Sequence, residues 1–289
     1  MPWQLFSTAR ADSRTAELSV SRLADDMLVI SGAGGNVLAA RDSQGIVLVD
    51  GGAAQYSRQL LERVSTELSA SRVHTLFNTH WHPEQTGSNE RLGREGATIV
   101  AHENTRLWLS TQSPLPGSEE LFGPLPPVAR PNETLYDTGT RPFGAERIDY
   151  GYLLQAHTDG DIYVHFPERN VLVAGGVVSG AGWPVIDWRT GGWIGGMVNG
   201  LSKLIELSDA QTRIVPATGP VLTRADLEER HAILAPLFAE LRKMLTSGLG
   251  PLEAVEAGPL REYEAKYGDA STFVKTAFES LWGHLSPDA

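Results

Sequence analysis

Between Met27 and Asp50 the chain alternates short apolar runs with turn formers: "MLVI" at Met27 to Ile30, then "NVLAARDSQGIVLVDGG", whose two apolar runs flank Asp42, Ser43 and Gly45. Such runs predict strands, and the second pair predicts a hairpin ending at Asp50. Tyr56, Leu60, Leu61, Val64 and Leu68 then recur at helical spacing, and "VHTLFNTH" predicts a mostly buried strand whose C-terminal end carries His80. A strand-helix-strand unit of this kind puts its loop residues at the C-terminal edge of the sheet, where sites tend to form.

"ATIVA" continues as a strand and "ENTRLWLSTQ" as a helix, before "SPLPGSEELFGPLPPVARPNE" breaks the pattern with closely spaced prolines. That segment reads as a long surface loop or a lid. The second half repeats the opening logic, with strands near Gly151 to Ala156, Ile162 to Phe166 and Val171 to Ala174, a helix over roughly Gly196 to Leu207, and the strand "RIVPA". From Arg224 onward the pattern is helical: "ADLEERHAILAPLFAELRKML" and "ASTFVKTAFESLWGHL" both carry apolar residues three and four apart. These helices read as a covering layer or as an oligomer contact, and fold-level analogy alone suggests a homodimer through them. Nothing resembles a linker or a short-period repeat, so the pattern predicts a single domain over residues 1–289 with a helical C-terminal region at 224–289.

Composition narrows the function classes. A hydrophobic content of 41% in 289 residues supports a sizeable core, so disorder is not expected. The net charge of −11 opposes general affinity for nucleic acid or an anionic membrane, which leaves a small-molecule substrate as the expected partner. With no cysteine, thiolate zinc sites, disulfides and a cysteine nucleophile are excluded, and any metal must be held by His, Asp or Glu. The N-terminal "MPWQLFSTARADSRTAELSV" has no apolar run of signal-peptide length, and no stretch approaches a membrane span, so a soluble cytoplasmic protein is expected.

The candidate chemistry begins at "FNTHWHPEQTGSNE". His80 and His82 alternate across Trp81, which in an extended backbone places both imidazoles on one side, able to hold one ion. "IVAHENT", "LQAHTDGDIYVHFPERNVLVAGGVV" and "IVPATGPVLTRADL" follow in that order. Together, from about Asn36 to Leu227, these segments resemble the metallo-β-lactamase-fold hydrolases. In that family the loop reads H-x-H-x-D-H-x-G, a third histidine opens a segment like H-T-x-G-D, a bridging aspartate closes VLxxGD, and a last histidine sits in PGHGP. The resemblance implies an α/β fold, a four-layer αββα sandwich with a two-metal site along one edge of its sheets.

Carried over by residue, the resemblance keeps three ligands of the first metal site, His80, His82 and His157. The second site is lost: its aspartate position holds Glu84, its adjacent histidine Gln85, the bridging aspartate Gly176 and the last histidine Thr218. Asp50 matches an acidic residue that the family places beneath the metals. Gln85 offers a neutral amide, Thr218 a hydroxyl and Gly176 nothing, so a second zinc lacks the donors to replace its water ligands. Three imidazoles and a water still complete one open tetrahedral zinc site, with Glu84 as its general base or as a solvated loop carboxylate.

The resemblance thus implies one divalent ion, zinc first and iron second, in a hydrolase or lyase-like enzyme acting on an ester, lactone, thioester or amide bond. A catalytically silent ligand- or partner-binding protein and a three-histidine iron oxygenase are the alternatives. Trp183, Trp188 and Trp193 line a substrate pocket or simply pack, and Asp187 either borders that pocket or replaces a lost ligand. Asp161 is expected to support the turn after His157. His74, His102, His165, His231 and His284 match no ligand position and are read as structural. "GGWIGGM" has no lysine and reads as close helix packing rather than a phosphate cradle, and no G-x-S-x-G elbow appears.

Overall fold

The computed structural model describes residues 17–285; most of the N-terminal stretch read above for targeting signals lies outside the described residues. The chain opens with β1 (Ser19–Ala24), β2 (Met27–Ser31), β3 (Val37–Arg41) and β4 (Ile46–Val49), then α1 (Ser57–Leu68) and β5 (Val73–Phe77). Two short helices, α2 (Pro83–Thr86) and α3 (Asn89–Arg94), lead to β6 (Thr98–His102) and α4 (Glu103–Trp108). The proline-rich segment forms a hairpin of two-residue strands, β7 (Ser113–Pro114) and β8 (Leu121–Phe122), followed by β9 (Glu133–Leu135). The second half contains β10 (Thr138–Phe143), β11 (Glu146–Tyr152), β12 (Ile162–Phe166), β13 (Val171–Ser179), α5 (Ile194–Glu206) and β14 (Arg213–Thr218). It ends in α6 (Arg224–Thr246), α7 (Pro251–Ala257), α8 (Glu264–Tyr267) and α9 (Ser271–Leu285).

The strands make two main sheets, ordered β1-β2-β3-β4-β5-β6-β9 and β10-β11-β12-β13-β14. Their apolar runs are continuous because both faces are covered. In β4, Ile46 and Leu48 pack with Leu60 and Val64 of α1, whereas Val47 and Val49 turn inward to a core shared with Val164 and Val173 of the other sheet. β13 alternates likewise: Val171 and Val173 face the shared core, Leu172 and Ala174 face Met197, Leu201 and Leu234 of α5 and α6. A two-residue period thus distributes each strand between two cores and stacks helix, sheet, sheet and helix. The parallel pairs β4-β5 and β13-β14 bring strand ends of both sheets to one edge.

Three local expectations are corrected. β5 ends at Phe77, so His80 stands in the following loop; the Thr79 N–H bonds the Asp50 carboxylate at 2.8 Å instead of a strand partner. The strand expected near Gly151 to Ala156 is β11, which starts at Glu146 and stops at Tyr152, because Gln155 turns the chain with φ of 47°. The predicted helix "ENTRLWLSTQ" is confined to Glu103–Trp108. β1 and β10 gave no apolar signal because they are edge strands with mostly exposed or half-buried residues. Among the described residues, no helix is long and apolar enough to cross a membrane.

Candidate metal centre

Two loops carry the three histidines to the edge where the sheets meet. Asp50, just past β4, adopts φ of 65° and anchors its N–H to the Phe77 carbonyl at 2.7 Å, which turns its carboxylate toward Thr79. Thr79 in turn joins the sheets, since its carbonyl accepts from the Ile162 N–H of β12 at 2.8 Å. Gly175 makes that approach feasible: a Cβ there would lie 2.8 Å from the Thr79 Cβ. His80 and His82 therefore leave the first sheet at a fixed angle, while the β11-β12 loop brings His157 from the second. Asp161 tightens this loop by accepting the Thr158 N–H at 2.7 Å and its hydroxyl at 2.9 Å, the turn-supporting role read from the sequence.

The imidazoles of His80, His82 and His157 are all buried, with one ligand nitrogen from each lying within 4.8 Å of the others. The rings stand edge to face at centroid separations of 4.6 to 4.8 Å. Their outward nitrogens are committed. His157 Nδ1 donates to the Val185 carbonyl at 2.7 Å, His82 Nε2 donates to Asp187 Oδ2 at 3.0 Å, and His80 Nδ1 lies 2.9 Å from Thr79 Oγ1. The Thr79 hydroxyl points its own proton at Asp50, 2.9 Å from Oδ2, and so accepts from His80.

In neutral rings, those donations leave lone pairs on His80 Nε2, His82 Nδ1 and His157 Nε2, all facing inward. His157 Nε2 and His82 Nδ1 are 3.1 Å apart, an arrangement that repels itself unless a cation sits between. Nitrogens bound tetrahedrally to one zinc stand about 3.3 Å apart, so this donor set fits such an ion. Burial, with the other two histidines adding to it, holds His80 well below the usual histidine range. Burial and His82 push His157 down to about 3. Both rings are therefore neutral ligands near pH 7. Burial alone would raise the Asp187 carboxyl, but the His82 hydrogen bond and the other partners outweigh it and hold it low, so Asp187 stays an anion behind His82.

Asp50 lies beneath this arrangement. Burial raises its carboxyl to about 7 against the Thr79 hydrogen bonds that favour the anion. It touches Thr79 rather than the space between the rings, and so acts on His80 through that hydroxyl.

The positions that match the family's second site lie on α2, on β13 and at the end of β14. Glu84 is exposed in the first turn of α2 and lies outside the three-histidine group. Gln85 is buried, and its Nε2 approaches Gly35, where a Cβ would be 3.1 Å away. Thr218, at the end of β14, pairs its hydroxyl with Ser179 at 3.2 Å. A Cβ at Gly176 would lie 2.1 Å from His157 Cδ2, so the His157 ring fills the place where a bridging carboxylate would emerge. Asn36 closes the gap by donating from Nδ2 to the Pro216 and Gly219 carbonyls, both at 2.9 Å.

The remaining candidates divide. Asp187 stands outside the three-histidine group, and its Oδ2 holds His82 and accepts the Thr190 hydroxyl at 2.5 Å. Trp183 stacks on Phe273 at 5.3 Å and Trp193 on His284 at 4.4 Å, so both anchor the C-terminal helix. Trp188, 42% exposed, remains open to a ligand. His102 caps α4, His231 Nε2 lies 2.9 Å from the Ser202 hydroxyl, and His74 Nε2 lies 3.3 Å from Asp42, all structural as read. The glycines of "GGWIGGM" serve close packing, with a Cβ at Gly196 falling 1.9 Å from the Gln155 carbonyl oxygen. Thr79, Val185, Thr190 and Trp81 escaped the sequence reading. Trp81, the residue between the ligands, is fully buried, donates to Thr190 at 3.1 Å and packs between Trp108 and Phe122. Its place in H-x-H was the one available signal.

Comparison with known proteins agrees with this fold. A family model described as the metallo-beta-lactamase superfamily matches residues 31–237. A metallo-beta-lactamase from Pontibacter korlensis is similar at 19% identity and a TM-score of 0.62, covering 76% of this chain and 99% of that one. The DIM-1 metallo-beta-lactamase is similar at 17% identity and a TM-score of 0.61, covering 77% and 99%. The metallo-beta-lactamase IND-7 gives 16% identity and a TM-score of 0.61, covering 77% and 100%. No curated protein matches the chain in sequence.

Proposed function

Because the chain belongs to the metallo-beta-lactamase superfamily, we propose that it is a mononuclear metal-dependent hydrolase or lyase-like enzyme acting on an ester, lactone, thioester or amide bond of a small molecule. The observation that carries this reading is the convergence of three buried imidazole lone pairs whose outer nitrogens are each committed to a partner. A divalent ion held there, zinc by the preference of an all-imidazole set, supplies Lewis acidity and brings the pKa of water down to about 7.

The chain's own residues do the positioning. Asp187 holds the His82 tautomer and keeps a negative charge behind it, Val185 fixes the rotation of His157, and Asp50 steadies His80 through Thr79. Glu84 follows His82 by two residues on the solvent side and is our candidate to accept the proton of the attacking water. Gln85 and Thr218 are neutral, and we assign them to hydrogen bonding with substrate. With Glu84 as the one anionic donor left at the second site, a leaving group must depart without a second cation beside it, which favours activated esters, lactones and thioesters over amides.

The donor set favours hydrolysis over iron-dependent oxygen chemistry. The carboxylate nearest the three histidines, Asp187, stands behind His82 rather than beside it, so no two-histidine, one-carboxylate face forms. The test is hydrolysis of p-nitrophenyl acetate and of a lactone and thioester panel by the protein before and after chelation. Turnover that chelation abolishes, zinc restores and His157→Ala lacks supports the reading. Turnover untouched by chelation, or none with zinc bound, overturns it.

A further inference from the structure

Beside the candidate metal centre lies a groove of about 730 Å³, within the range of small-molecule sites. Three pieces of chain wall it: the tip of the proline-rich hairpin at residues 116–119, the segment 183–189, and residues 267–279 of the C-terminal region. The first two walls lie within the residues matched by the family model and the third lies beyond residue 237, where the match ends, so the C-terminal extension closes one side of a cleft whose other sides belong to the shared fold. The middle wall is the one that holds the centre, since Val185 fixes His157 and Asp187 fixes His82. The groove is thus walled by the segment that carries both residues.

The lining states what would fit. Val185 and Trp188, 52% and 42% exposed, stand on the middle wall and give it an apolar face. Trp183, fixed by Phe273 and by its Nε1 bond to the Gly268 carbonyl at 2.9 Å, forms a rigid aromatic panel. Two cationic side chains line the groove, Arg189 and Lys275, against four carboxylates. Each cation already stands 3.8 Å from a carboxylate, Glu119 or Glu279. An anion therefore finds no uncommitted positive charge, and a neutral flat or branched apolar group finds a wall to cover.

We propose that this groove binds an uncharged aromatic or acyl group of the substrate, on the segment that carries Val185 and Asp187. The assignment to substrate rests on the hydrolase reading; the groove's affinity for such groups does not. Binding is measured with the neutral fluorophore N-phenyl-1-naphthylamine on the full chain, as wild type, Thr276→Trp, Trp188→Ala, His157→Ala and Leu252→Ala. Thr276 lines the α9 wall, so a tryptophan there fills the groove, while Trp188→Ala strips its aromatic face.

Saturable binding at one site is expected in wild type, weakened about tenfold or more in Thr276→Trp and Trp188→Ala, and unchanged in Leu252→Ala, whose side chain is 68% exposed on α7. It should persist in His157→Ala, where the metal reading is disabled, so the two claims fail separately. In parallel, KM for p-nitrophenyl esters should fall up to about fourfold per added acyl methylene, and Thr276→Trp should flatten that slope. Absent or non-saturable dye binding in wild type, or binding indifferent to both groove variants, overturns the groove. Dye binding that behaves as expected without any ester turnover supports the groove and counts against the hydrolase reading alone.

Discussion

Asp187→Asn isolates one charge behind the metal centre. His82 Nε2 and Thr190 Oγ1 both donate to Asp187 Oδ2, at 3.0 and 2.5 Å, so an asparagine oxygen in that place keeps both hydrogen bonds and removes only the negative charge. Residues 82 and 187 are 7% and 2% exposed, so solvent screens the lost interaction little. Outer partners of ligating histidines carry about 10- to 100-fold in metal affinity. The isosteric change should sit near the lower bound, about tenfold or ~1.4 kcal/mol. Asp187→Ala removes the acceptor as well, strands two buried donors, and should approach 100-fold, about 2.7 kcal/mol. Competition for zinc against a chromophoric chelator at pH 7.5 reads both values. An affinity of Asp187→Ala within twofold of wild type would refute the idea that Asp187 holds His82 for the ion.

Three further outcomes follow from the same geometry. Gly176→Ala should cost about 1–3 kcal/mol by urea denaturation and lower the bound metal rather than recruit a second ion, because its Cβ meets the His157 ring; a second equivalent of metal would contradict this. Trp81→Ala should cost about 3–5 kcal/mol, since the fully buried indole packs between Trp108 and Phe122; a loss under 1 kcal/mol would show that the proline-rich hairpin does not depend on it. The acid response of metal-free protein tests His157. Burial and His82 lower it from 6.5 to about 3, so the folded state resists its protonation, and this contribution is whole above pH 6.5 and lost as pH falls toward 3. Metal-free wild type should lose stability relative to His157→Asn between pH 7 and pH 4, a comparison in which the opposite contribution of Asp50 cancels; parallel pH curves for the two proteins would refute it.

The layers and the histidines were legible in the sequence because each left a periodic or chemical mark. Strands buried on both faces, such as β4 and β13, show as unbroken apolar runs, and α1 and α5 show as apolar residues three and four apart. Edge strands left no such mark: β10 reads "TGTRPF" because its side chains are mostly exposed or half-buried. At the site, the ligand types announced themselves, but the groups that aim them did not. Val185 acts through its carbonyl, which any residue has. Asp187 drew notice only as a carboxylate near a lost ligand, and its true place behind His82 depends on where the chain turns at 187–190. Trp183 and Trp193 were read as pocket walls or packing, and the partners they stack on, Phe273 and His284, lie too far along the chain for local pattern to pair them.

The central claim is that one ion, and not two or none, sits on His80, His82 and His157. Elemental analysis of protein purified without added metal measures this directly, run beside His157→Ala. The account predicts one equivalent of divalent metal per chain in wild type, lost in the variant. Two equivalents, or one equivalent that His157→Ala retains, would contradict it.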